Sequence, residues 1–286
     1  MSHRTAASLA VRLSRLVAHL APEWSARQLR RPVLLIGCGR SGSTFLHRIL
    51  AAHPEIAAYP NEANRLWLPG AYPWSEEGAH GVPFWHDPRG FSASAAARRP
   101  PGWTQLLRAR FGAYQRLRGK PTFLNKNVMV HFMLPDVRRA FPGARFVHLY
   151  RDGRAVAFSY ARRVEARKPD EGASDRLTAR ERLLTFGRYW GDSMIEIEAQ
   201  RASAEAAGHP WLELGYEELC RDPRPLLDAL CRHLGVEPHP LVESDGLSFR
   251  NMNRKHREHL DEDLQEELRR AASRGLALKG YAESGP

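Results

Sequence analysis

One uninterrupted stretch, from Pro32 to Pro54, constrains the fold of this chain more than any other. Residues 33–36 (VLLI) form a short apolar run, which is typical of a strand buried on both faces of a parallel sheet. The sequence GCGRSGST follows over residues 37–44, and a segment of helical periodicity continues to Ala52. Backbone N–H groups of a glycine-rich loop at a helix start attract anions. The stretch therefore predicts a phosphate-binding loop in an α/β fold.

This loop differs at one position from the loop that binds nucleoside triphosphates. The triphosphate loop reads G-x-x-x-x-G-K-[ST], and its lysine reaches the β- and γ-phosphates. Gly37, Gly42 and Thr44 keep this frame, but Ser43 replaces the lysine and a cation occurs earlier, at Arg40. A loop without that lysine is poorly suited to a triphosphate, although it can hold a phosphate that carries another group.

The charge balance favours an anionic partner. The chain has 43 Lys and Arg against 32 Asp and Glu, which gives a net charge of +11. The arginines are dispersed as pairs, and neither a zinc-finger nor an RNP signature accompanies them. We therefore expect a charged nucleotide, and no nucleic acid, as the ligand.

Cysteine content and hydropathy bear on location. The three cysteines, Cys38, Cys220 and Cys231, are too few and too scattered for a disulfide framework or a zinc site. No stretch approaches the roughly 20 apolar residues of a membrane span, and the start of the chain lacks a signal-peptide core. We expect a cytoplasmic protein that binds no metal.

Residues 1–31 are predicted to form a basic amphipathic helix ahead of a single domain over residues 32–286. Apolar residues recur there at helical spacing among arginines: Leu9, Leu13, Leu16 or Val17, and Leu20. Such a helix can rest on a membrane surface, act as an organelle transit segment, pack against the domain or contact a second subunit in a homodimer. These alternatives are left open by the pattern.

Residues 66–103 are rich in proline, glycine and aromatic residues. A solvated linker does not carry so many indole rings, so we interpret this segment as a folded insertion or a lid over a pocket. A hydrophobic cluster without a ligand is the alternative.

Five short strands separated by helical segments are predicted at residues 33–36, 55–59, 122–124, 145–150 and 211–214. This alternation indicates a three-layer α/β fold, with a mostly parallel central sheet of about five strands and helices on both faces. Ligands of such sheets bind beyond the carboxyl ends of the strands. The polar residues that follow these ends should converge: Arg40, Glu62, Lys126, Arg151 and Tyr216.

Capping and periodicity signals predict the longer helices. Two helices are predicted over residues 106–118 and 128–141. A third begins at a capping box formed by Thr178 and Glu181 and ends near Gly208, and a fourth begins at Asp222 and Pro223 and ends at Gly235. A final helix is marked by Leu260, Leu264 and Leu268, with Arg269-Arg270 near its end.

Arg151 and Ser159 indicate a second anion site. Arg151 follows a predicted strand, and Ser159 comes about two turns into the next helix, so a guanidinium and a hydroxyl are presented together. Two anion sites on opposite sides of one pocket indicate a nucleotide with phosphate at both ends of its ribose.

Together these motifs resemble the sulfotransferases that use 3′-phosphoadenosine 5′-phosphosulfate (PAPS), especially the tyrosylprotein-type branch. The resemblance runs through residues 39–44 (GRSGST), His53-Pro54, Glu62, Asn125-Lys126-Asn127, residues 146–163 (FVHLYRDGRAVAFSYARR), residues 216–219 (YEEL) and Arg254-Lys255. It covers most of the chain except residues 1–31 and the insertion.

The resemblance implies a P-loop-like fold and a division of roles. The 5′-phosphosulfate would be bound by the loop: Gly39, Arg40, Ser41, Gly42, Ser43, Thr44 and Phe45. The 3′-phosphate would be held by Arg151, Ser159, Arg163, Tyr216 and Lys255. Lys126 matches the lysine that neutralises the leaving oxygen, and Arg40 and Ser43 join it among the catalytic residues. Glu62 matches the general base of the tyrosylprotein branch, with His131 as the alternative because other branches use histidine.

The predicted activity is in-line transfer of a sulfuryl group from PAPS to a hydroxyl acceptor, with Glu62 as the base. The acceptor can be a tyrosine, a sugar, a lipid or a small metabolite. Two other hypotheses remain: a magnesium-dependent P-loop kinase or nucleotide hydrolase, and a basic protein that binds nucleic acid or anionic membranes.

Overall fold

The centre of the fold is a sheet of five parallel strands. The computed structural model describes residues 3–69, 84–166, 177–240 and 250–282. The strands in this part of the chain are β1 (Pro32–Ile36), β2 (Ile56–Ala58), β3 (Thr122–Lys126), β4 (Arg145–Tyr150) and β5 (Trp211–Gly215). They lie in the order β2-β3-β1-β4-β5, and every neighbouring pair is parallel. The predicted α/β fold with about five parallel strands is confirmed.

Helices connect the strands and precede the sheet. They are α1 (His3–Leu20), α2 (Pro22–Arg27), α3 (Ser43–Ala52), α4 (Asn64–Trp67), α5 (Pro88–Ala97), α6 (Trp103–Arg118), α7 (Leu134–Ala140), α8 (Gly153–Glu165), α9 (Ala179–Ala206), α10 (Tyr216–Arg221), α11 (Pro223–Leu234), α12 (Arg254–His259) and α13 (Glu262–Leu278). A 3₁₀ turn, Val130–Met133, precedes α7. None of the described helices is both long and apolar enough to span a bilayer.

The alternation of side chains in β1 produces two apolar layers. Leu34 and Ile36 pack in one cluster with residues of α6, α8, α9 and α13. Val33 and Leu35 pack in the other, with residues of α3, α10 and α11. Because successive side chains of a strand point to opposite faces, a continuous apolar run supplies both layers. This explains why the VLLI pattern indicated a strand buried on both sides.

Two helix-end predictions can be compared with the structure directly. The capping box at the start of α9 is present, with the Thr178 hydroxyl accepting from Glu181 N–H and the Glu181 carboxylate accepting from Thr178 N–H. Gly235 ends α11 with a left-handed φ of 68°. Asp222 precedes α11 as predicted, but its carboxylate makes no capping hydrogen bond, so that detail was wrong.

The helix predicted over residues 128–141 begins later than expected. The Asn127 Oδ1 accepts a hydrogen bond from the Met129 N–H at 2.9 Å, which gives the backbone a local alternative to the helix. A 3₁₀ turn follows, and α7 starts only at Leu134, with Pro135 in its first turn.

The final helix extends further than predicted. Arg269 and Arg270 lie in the middle of α13, where both pair with Glu266, and the helix continues to Leu278. Leu260 lies outside it, at the C-cap of α12. The prediction that these two arginines lie near the helix end was therefore wrong, and they instead form ion pairs with a glutamate three and four residues earlier.

The predicted insertion at residues 66–103 is described at residues 66–69 and 84–103, so Tyr72 and Trp74 lie outside the described residues. Its described aromatic residues are buried: Trp67, Phe84, Trp85, Phe91 and Trp103.

The division of the chain into a helix and a domain stays a prediction, although α1 and α2 pack closely on α6. A Cβ at Gly112 of α6 would lie 2.0 Å from the Ser25 carbonyl oxygen, so only glycine permits this contact.

Candidate active site

The loop between β1 and α3 has an unusual backbone. Arg40 adopts a left-handed φ of 68°, which costs a residue with a side chain about 1–3 kcal/mol. It is held from two sides, because its Nε donates to the Ser159 Oγ at 3.0 Å and its carbonyl accepts from Arg151 Nη1 at 3.0 Å. Gly42 also has a positive φ, and a Cβ there would lie 2.8 Å from the Tyr216 ring. The loop is therefore fixed against the residues that follow β4 and β5.

The start of α3 offers backbone donors beside the loop. The first N–H groups of a helix have no intrahelical acceptor, and here they belong to Ser43 and Thr44. The Phe45 N–H donates to the Gly42 carbonyl at 2.9 Å, so this amide is already engaged. Ser41 is fully buried, and its hydroxyl has no hydrogen-bond partner among the described residues. Ser43 and Thr44 are thus the loop residues best placed to contact a ligand.

A cavity of about 410 Å³, which we term the basic cavity, opens over this helix start. Four arginines line it: Arg40, Arg48, Arg151 and Arg250. The other lining residues are Gly42, Ser43, Thr44, Phe45, Ser159, Tyr216 and Met252. Within the described part of the chain, no Asp or Glu faces this cavity. The cavity therefore suits a ligand with several negative charges.

Arg151 is buried and held in one orientation. Its Nε donates to the Asn253 Oδ1 at 2.8 Å, and its guanidinium lies over the Tyr216 ring, 4.4 Å from the centroid. Asn253 is fixed in turn by a 2.5 Å hydrogen bond to the Glu217 carboxylate. The guanidinium is therefore positioned before any ligand binds. Asn253 directly precedes Arg254-Lys255 but belongs to none of the motifs that we singled out, so its role was not predicted.

Two residues assigned to the 3′-phosphate lie beside the basic cavity. Arg163 and Lys255 line an adjoining cavity of about 510 Å³, which shares Arg40, Arg151 and Ser159 with the basic cavity. Arg151, Ser159 and Tyr216 thus line the basic cavity itself, whereas Arg163 and Lys255 line the adjoining cavity but not the basic cavity.

A carboxylate and an ammonium meet next to the loop. Lys126, at the end of β3, contacts the Glu62 Oε1 at 2.5 Å and the Thr44 Oγ1 at 3.3 Å. Lys126 is nearly buried, whereas the Glu62 side chain keeps 26% of its surface exposed. The second oxygen of Glu62 has a long 3.4 Å contact to Asn64. A substrate hydroxyl can therefore reach this carboxylate.

Asn125 and Asn127 flank Lys126 and hold the segment that carries Glu62. The Asn125 Nδ2 donates to the Asn61 carbonyl at 3.1 Å, and the Asn127 Nδ2 donates to the Glu62 carbonyl at 2.7 Å. Ala63 has a left-handed φ of 55°, so this segment needs support. The sequence identified Asn125-Lys126-Asn127 as a motif, but its positioning role became clear only from these contacts.

We expect Asn127→Ala to lower the free energy of unfolding by about 1–3 kcal/mol, because it leaves the Glu62 carbonyl and the Met129 N–H without their buried partner. Turnover should fall as well, since Glu62 is then less well positioned. Urea denaturation and kinetics of the same variant measure both effects. An unchanged free energy of unfolding together with unchanged turnover would contradict this positioning role.

His47 is a neighbour of this pair that sequence reasoning missed. Its Nε2 contacts the Tyr59 carbonyl oxygen at 2.8 Å, so this nitrogen carries the proton. Burial first, and then the charge of Lys126, lowers its pKa to about 4. His47 is therefore neutral at neutral pH and adds no positive charge beside Lys126.

His131, the alternative base, is fully buried in the 3₁₀ turn and lines none of the cavities found among the described residues. Burial, with a smaller effect of His148, lowers its pKa to about 3. Its ring packs against Phe132, with 4.4 Å between the ring centroids. The geometry therefore brings Glu62, and not His131, to the loop.

The pKa of His131 has a consequence for stability. An unfolded histidine takes up a proton near pH 6.5, whereas folded His131 stays neutral down to about pH 3. The contribution of His131 to the unfolding free energy therefore falls as the pH drops from about 6.5 to about 3. Between pH 6.5 and 5 the wild type should lose about 2 kcal/mol more unfolding free energy than His131→Leu. Urea titrations at both pH values measure this difference. Equal losses in the two proteins would show that His131 is not held neutral.

A second cavity, of about 250 Å³, also borders the loop. We term it the aromatic cavity, because Phe84, Trp85, Tyr160 and Tyr189 form much of its wall, together with Val128 and Met129. Glu62 and Arg163 also line it, as do Gly39, Arg40, Ser43 and Thr44 of the loop. Arg40, Ser43 and Thr44 line both cavities, so ligands in the two would meet at these residues. This arrangement can transfer a group from an anionic ligand to one deprotonated by Glu62.

Comparison with solved structures supports the fold. The sulfotransferase domain of the Synechococcus PCC 7002 olefin synthase is 20% identical, with a TM-score of 0.55 over 86% of this chain and 94% of that chain. Sulfotransferase STF9 from Mycobacterium avium is 13% identical, with a TM-score of 0.60 over 95% and 83% of the two chains. Mouse sulfotransferase SULT7A1, complexed with PAP, is 14% identical, with a TM-score of 0.51 over 88% and 90%.

None of the curated proteins compared with this chain matches it. The model of the sulfotransferase family does match, over residues 32–240, which include the loop, Glu62, Lys126 and the segment from Arg151 to Tyr216. This match spans well over half of the sequence and contains all five strands. The chain belongs to the sulfotransferase family.

Proposed function

We propose that this protein transfers the sulfuryl group of PAPS to a hydroxyl acceptor, with Glu62 as the general base. The observation that carries the proposal is the junction of the two cavities at Arg40, Ser43 and Thr44. As far as the described residues line them, one cavity has four arginines and no carboxylate, and the other contains Glu62. Donor and acceptor thus have separate sites that share one wall.

The residues of the basic cavity fit a bisphosphorylated adenosine. Arginine side chains, the hydroxyl groups of Ser43 and Thr44 and the start of α3 all favour negative charge. Arg151 and Ser159 would hold the 3′-phosphate, with Tyr216 beneath the guanidinium and Lys255 and Arg163 adjacent. PAP, or adenosine 3′,5′-bisphosphate, is the product that PAPS leaves after transfer, and the mouse relative was crystallised with it.

In the proposed reaction, the acceptor hydroxyl gives its proton to the Glu62 carboxylate as its oxygen bonds to sulfur. The bond between that sulfur and the 5′-phosphate oxygen breaks, and the charge that develops on this oxygen is neutralised by a cation. Lys126 is suited to this role, because its ammonium contacts both Thr44 of the loop and Glu62. Arg40 and Ser43 would stabilise the equatorial oxygens. In-line transfer needs the acceptor oxygen, the sulfur and the leaving oxygen on one line, and the junction of the two cavities at Arg40, Ser43 and Thr44 supports such an arrangement.

Other finer assignments are part of the same proposal. The resemblance to tyrosylprotein-type enzymes supports the assignment of Glu62 as the general base. His131 is disfavoured as the base because it is fully buried. A cytoplasmic location accords with three free cysteines. A kinase or nucleotide hydrolase is disfavoured because Ser43 occupies the position of the triphosphate-binding lysine.

Transfer from labelled donor tests the proposal. The protein should convert PAPS to PAP in a buffer that contains a metal chelator, at a rate that depends on an added hydroxyl compound. Chromatography of the nucleotides measures PAP formation, and ATP with magnesium serves as the comparison. Hydrolysis of ATP without any release of PAP would favour the nucleotide hydrolase instead.

A further inference from the structure

One part of the wall of the aromatic cavity is apolar and buried, whereas the loop, Glu62 and Arg163 supply polar groups elsewhere. Six side chains contribute to the apolar part, and each exposes between 3% and 8% of its surface: Phe84, Trp85, Val128, Met129, Tyr160 and Tyr189. At about 250 Å³ the cavity is smaller than the roughly 300–1,000 Å³ of sites for drug-sized ligands. It therefore admits a ring system or a short chain, and little more.

Ring contacts behind the wall keep its shape fixed. Tyr160 stacks on Phe186 with 4.6 Å between the centroids and 10° between the ring planes. Trp85 packs against the same Phe186 at 5.3 Å, and Phe84 meets Tyr189 edge to face at 5.6 Å. Gly39 permits this packing, because a Cβ there would lie 2.0 Å from the Tyr160 hydroxyl. The cavity is thus formed before a ligand enters.

Charge is confined to a few positions around the cavity. Arg40 and Glu62 lie at the loop, and Arg163 is exposed to solvent. A ligand with one hydroxyl could reach Glu62 while its apolar part contacts the aromatic wall. A sugar would bury several hydroxyls against that wall, and each unpaired one costs about 1–3 kcal/mol.

We propose that the acceptor is an uncharged phenol or apolar alcohol whose ring or short chain fills the aromatic cavity. The proposal rests on the sulfotransferase activity proposed above. A phenol can come from a free small molecule or from a tyrosine side chain in a peptide, and both share this chemistry.

Binding of 2-naphthol, measured by titration calorimetry with and without PAP, tests the cavity separately from the reaction. We expect 2-naphthol to bind and to accept label, and N-acetylglucosamine to do neither. A tyrosine peptide tested in parallel distinguishes the two sources of phenol: the better acceptor identifies the source. Preferential binding of the sugar would overturn the proposal.

Val128→Thr and Met129→Gln place a polar group in the wall at nearly constant volume. Each should weaken 2-naphthol binding by about tenfold, while PAP binding stays unchanged. Val236→Thr adds the same hydroxyl at a buried site in the layer on the other face of the sheet, and should leave 2-naphthol binding unchanged. Unaltered binding in both wall variants would refute the assignment. Failure of PAP to bind would refute the donor site instead, because 2-naphthol binding is also measured without PAP.

A second inference rests on α1, which presents its larger apolar side chains to solvent. Leu9, Leu13, Leu16 and Leu20 are 42–72% exposed. At about 100° per residue they fall within about 60° of one another on the helix surface. We term them the leucine stripe. The helix itself packs against the domain, which was one of the open alternatives, but the leucines do not form that contact.

Small residues attach α1 to the rest of the protein in place of the leucines. Its buried positions are Ala10, Val11, Ser14 and Ala18. Ala18 packs with Ala109 and Ala113 of α6 and with Ala26 of α2. Trp24 of α2 is also 45% exposed. The outer surface of this helix pair is thus unusually apolar.

The charges beside the leucine stripe identify its partner. Arg12 and Arg15 are exposed, and α1 contains no Asp or Glu. At about 100° per residue, Arg12 lies about 70° from the centre of the stripe, and Arg15 lies on the same flank, between the stripe and the buried face. Leucines that insert between acyl chains, next to arginines that contact phosphate headgroups, form a surface that suits an anionic bilayer. Two copies joined through this face would bring like charges together. We propose that the leucine stripe docks the protein on an anionic membrane surface.

Helix α1 lies between the leucine stripe and the proposed acceptor site. Val11 and Arg15 of α1 line a cavity of about 680 Å³ that Glu62 also lines. A membrane-bound protein would thus hold Glu62 behind α1, at least about 10 Å from the bilayer surface, which is the diameter of one helix.

Co-sedimentation with vesicles of phosphatidylglycerol and phosphatidylcholine, against phosphatidylcholine alone, tests this docking. We expect binding to the anionic vesicles only, and at least a tenfold loss in Leu13→Gln/Leu16→Gln. Arg12→Gln/Arg15→Gln should lose the preference for anionic lipid. Leu278→Gln, at a similarly exposed leucine on α13, should bind normally.

Circular dichroism identifies any variant that fails to fold. If the leucine variant does not fold, Arg12→Gln/Arg15→Gln still tests the docking, because both arginines are exposed. Equal binding to both vesicle types, or none, would overturn the proposal. So would a dimer in solution that the leucine substitutions dissociate, because the stripe would then be covered by a second copy.

Discussion

Replacing Glu62 with glutamine is expected to lower turnover by about 10²–10⁴-fold and to leave PAP affinity nearly unchanged. Glutamine keeps the size of the side chain and can still accept a hydrogen bond from Lys126, but it cannot take the acceptor proton. Glu62 lines the aromatic cavity and is absent from the lining of the basic cavity, so donor binding should not depend on it. Initial rates with labelled PAPS and calorimetry with PAP measure the two effects.

Glu205→Gln is the matched control, because Glu205 is exposed on α9 and pairs with Arg201 there. It should turn over at the rate of the wild type. His131→Leu should do so as well, provided that it folds. Full turnover in Glu62→Gln together with a large loss in His131→Leu would transfer the role of base to His131 and contradict the present assignment.

Arg151→Ala is expected to weaken PAP binding by about 10–10²-fold, which corresponds to the 1.5–3 kcal/mol of a hydrogen bond to a charged group. Arg151 lines the basic cavity and fixes the strained Arg40 through its carbonyl, so the substitution affects both proposed phosphate sites. Calorimetry with PAP measures the loss, and thermal unfolding checks that the variant is folded.

Two further variants separate the possible causes of that loss. Arg151→Lys keeps the charge but cannot contact Asn253 and Arg40 together, so its affinity should be intermediate. Arg116→Ala removes an exposed arginine of α6 that lines none of the described cavities, and should bind PAP like the wild type. If Arg116→Ala weakened binding as much as Arg151→Ala, affinity would depend on net charge and not on a specific site.

Local patterns predicted the sheet and the positions of the polar residues at its edge. The apolar run in β1 is buried on both faces, and parallel strands place their carboxyl ends together, so Lys126, Arg151 and the loop had to meet. The capping box of α9 is likewise a signal contained in four neighbouring residues. Such features depend on short-range geometry, which the order of residues encodes directly.

Contacts between distant segments were not predictable in the same way. Asn127 supports Glu62 across 65 positions of sequence, and Asn253 fixes Arg151 across 102. What the leucines of α1 contact was left open for a related reason: helical spacing identifies an apolar face but not what covers it, and small residues on the neighbouring face of α1 form the contact. Whether the Phe45 N–H and the Ser41 hydroxyl can reach a ligand also depends on the backbone geometry of the loop, which the sequence does not specify.

The central claim is that the basic cavity holds an adenosine with phosphate on both the 3′ and 5′ positions. Titration calorimetry of adenosine 3′,5′-bisphosphate against adenosine 5′-monophosphate, both in the presence of a metal chelator, tests it most directly. We predict that the bisphosphate binds without magnesium and at least tenfold more tightly, because the monophosphate leaves Arg151 and Ser159 without a phosphate partner. Equal affinity for the two nucleotides, or binding only of a triphosphate with magnesium, would contradict the claim.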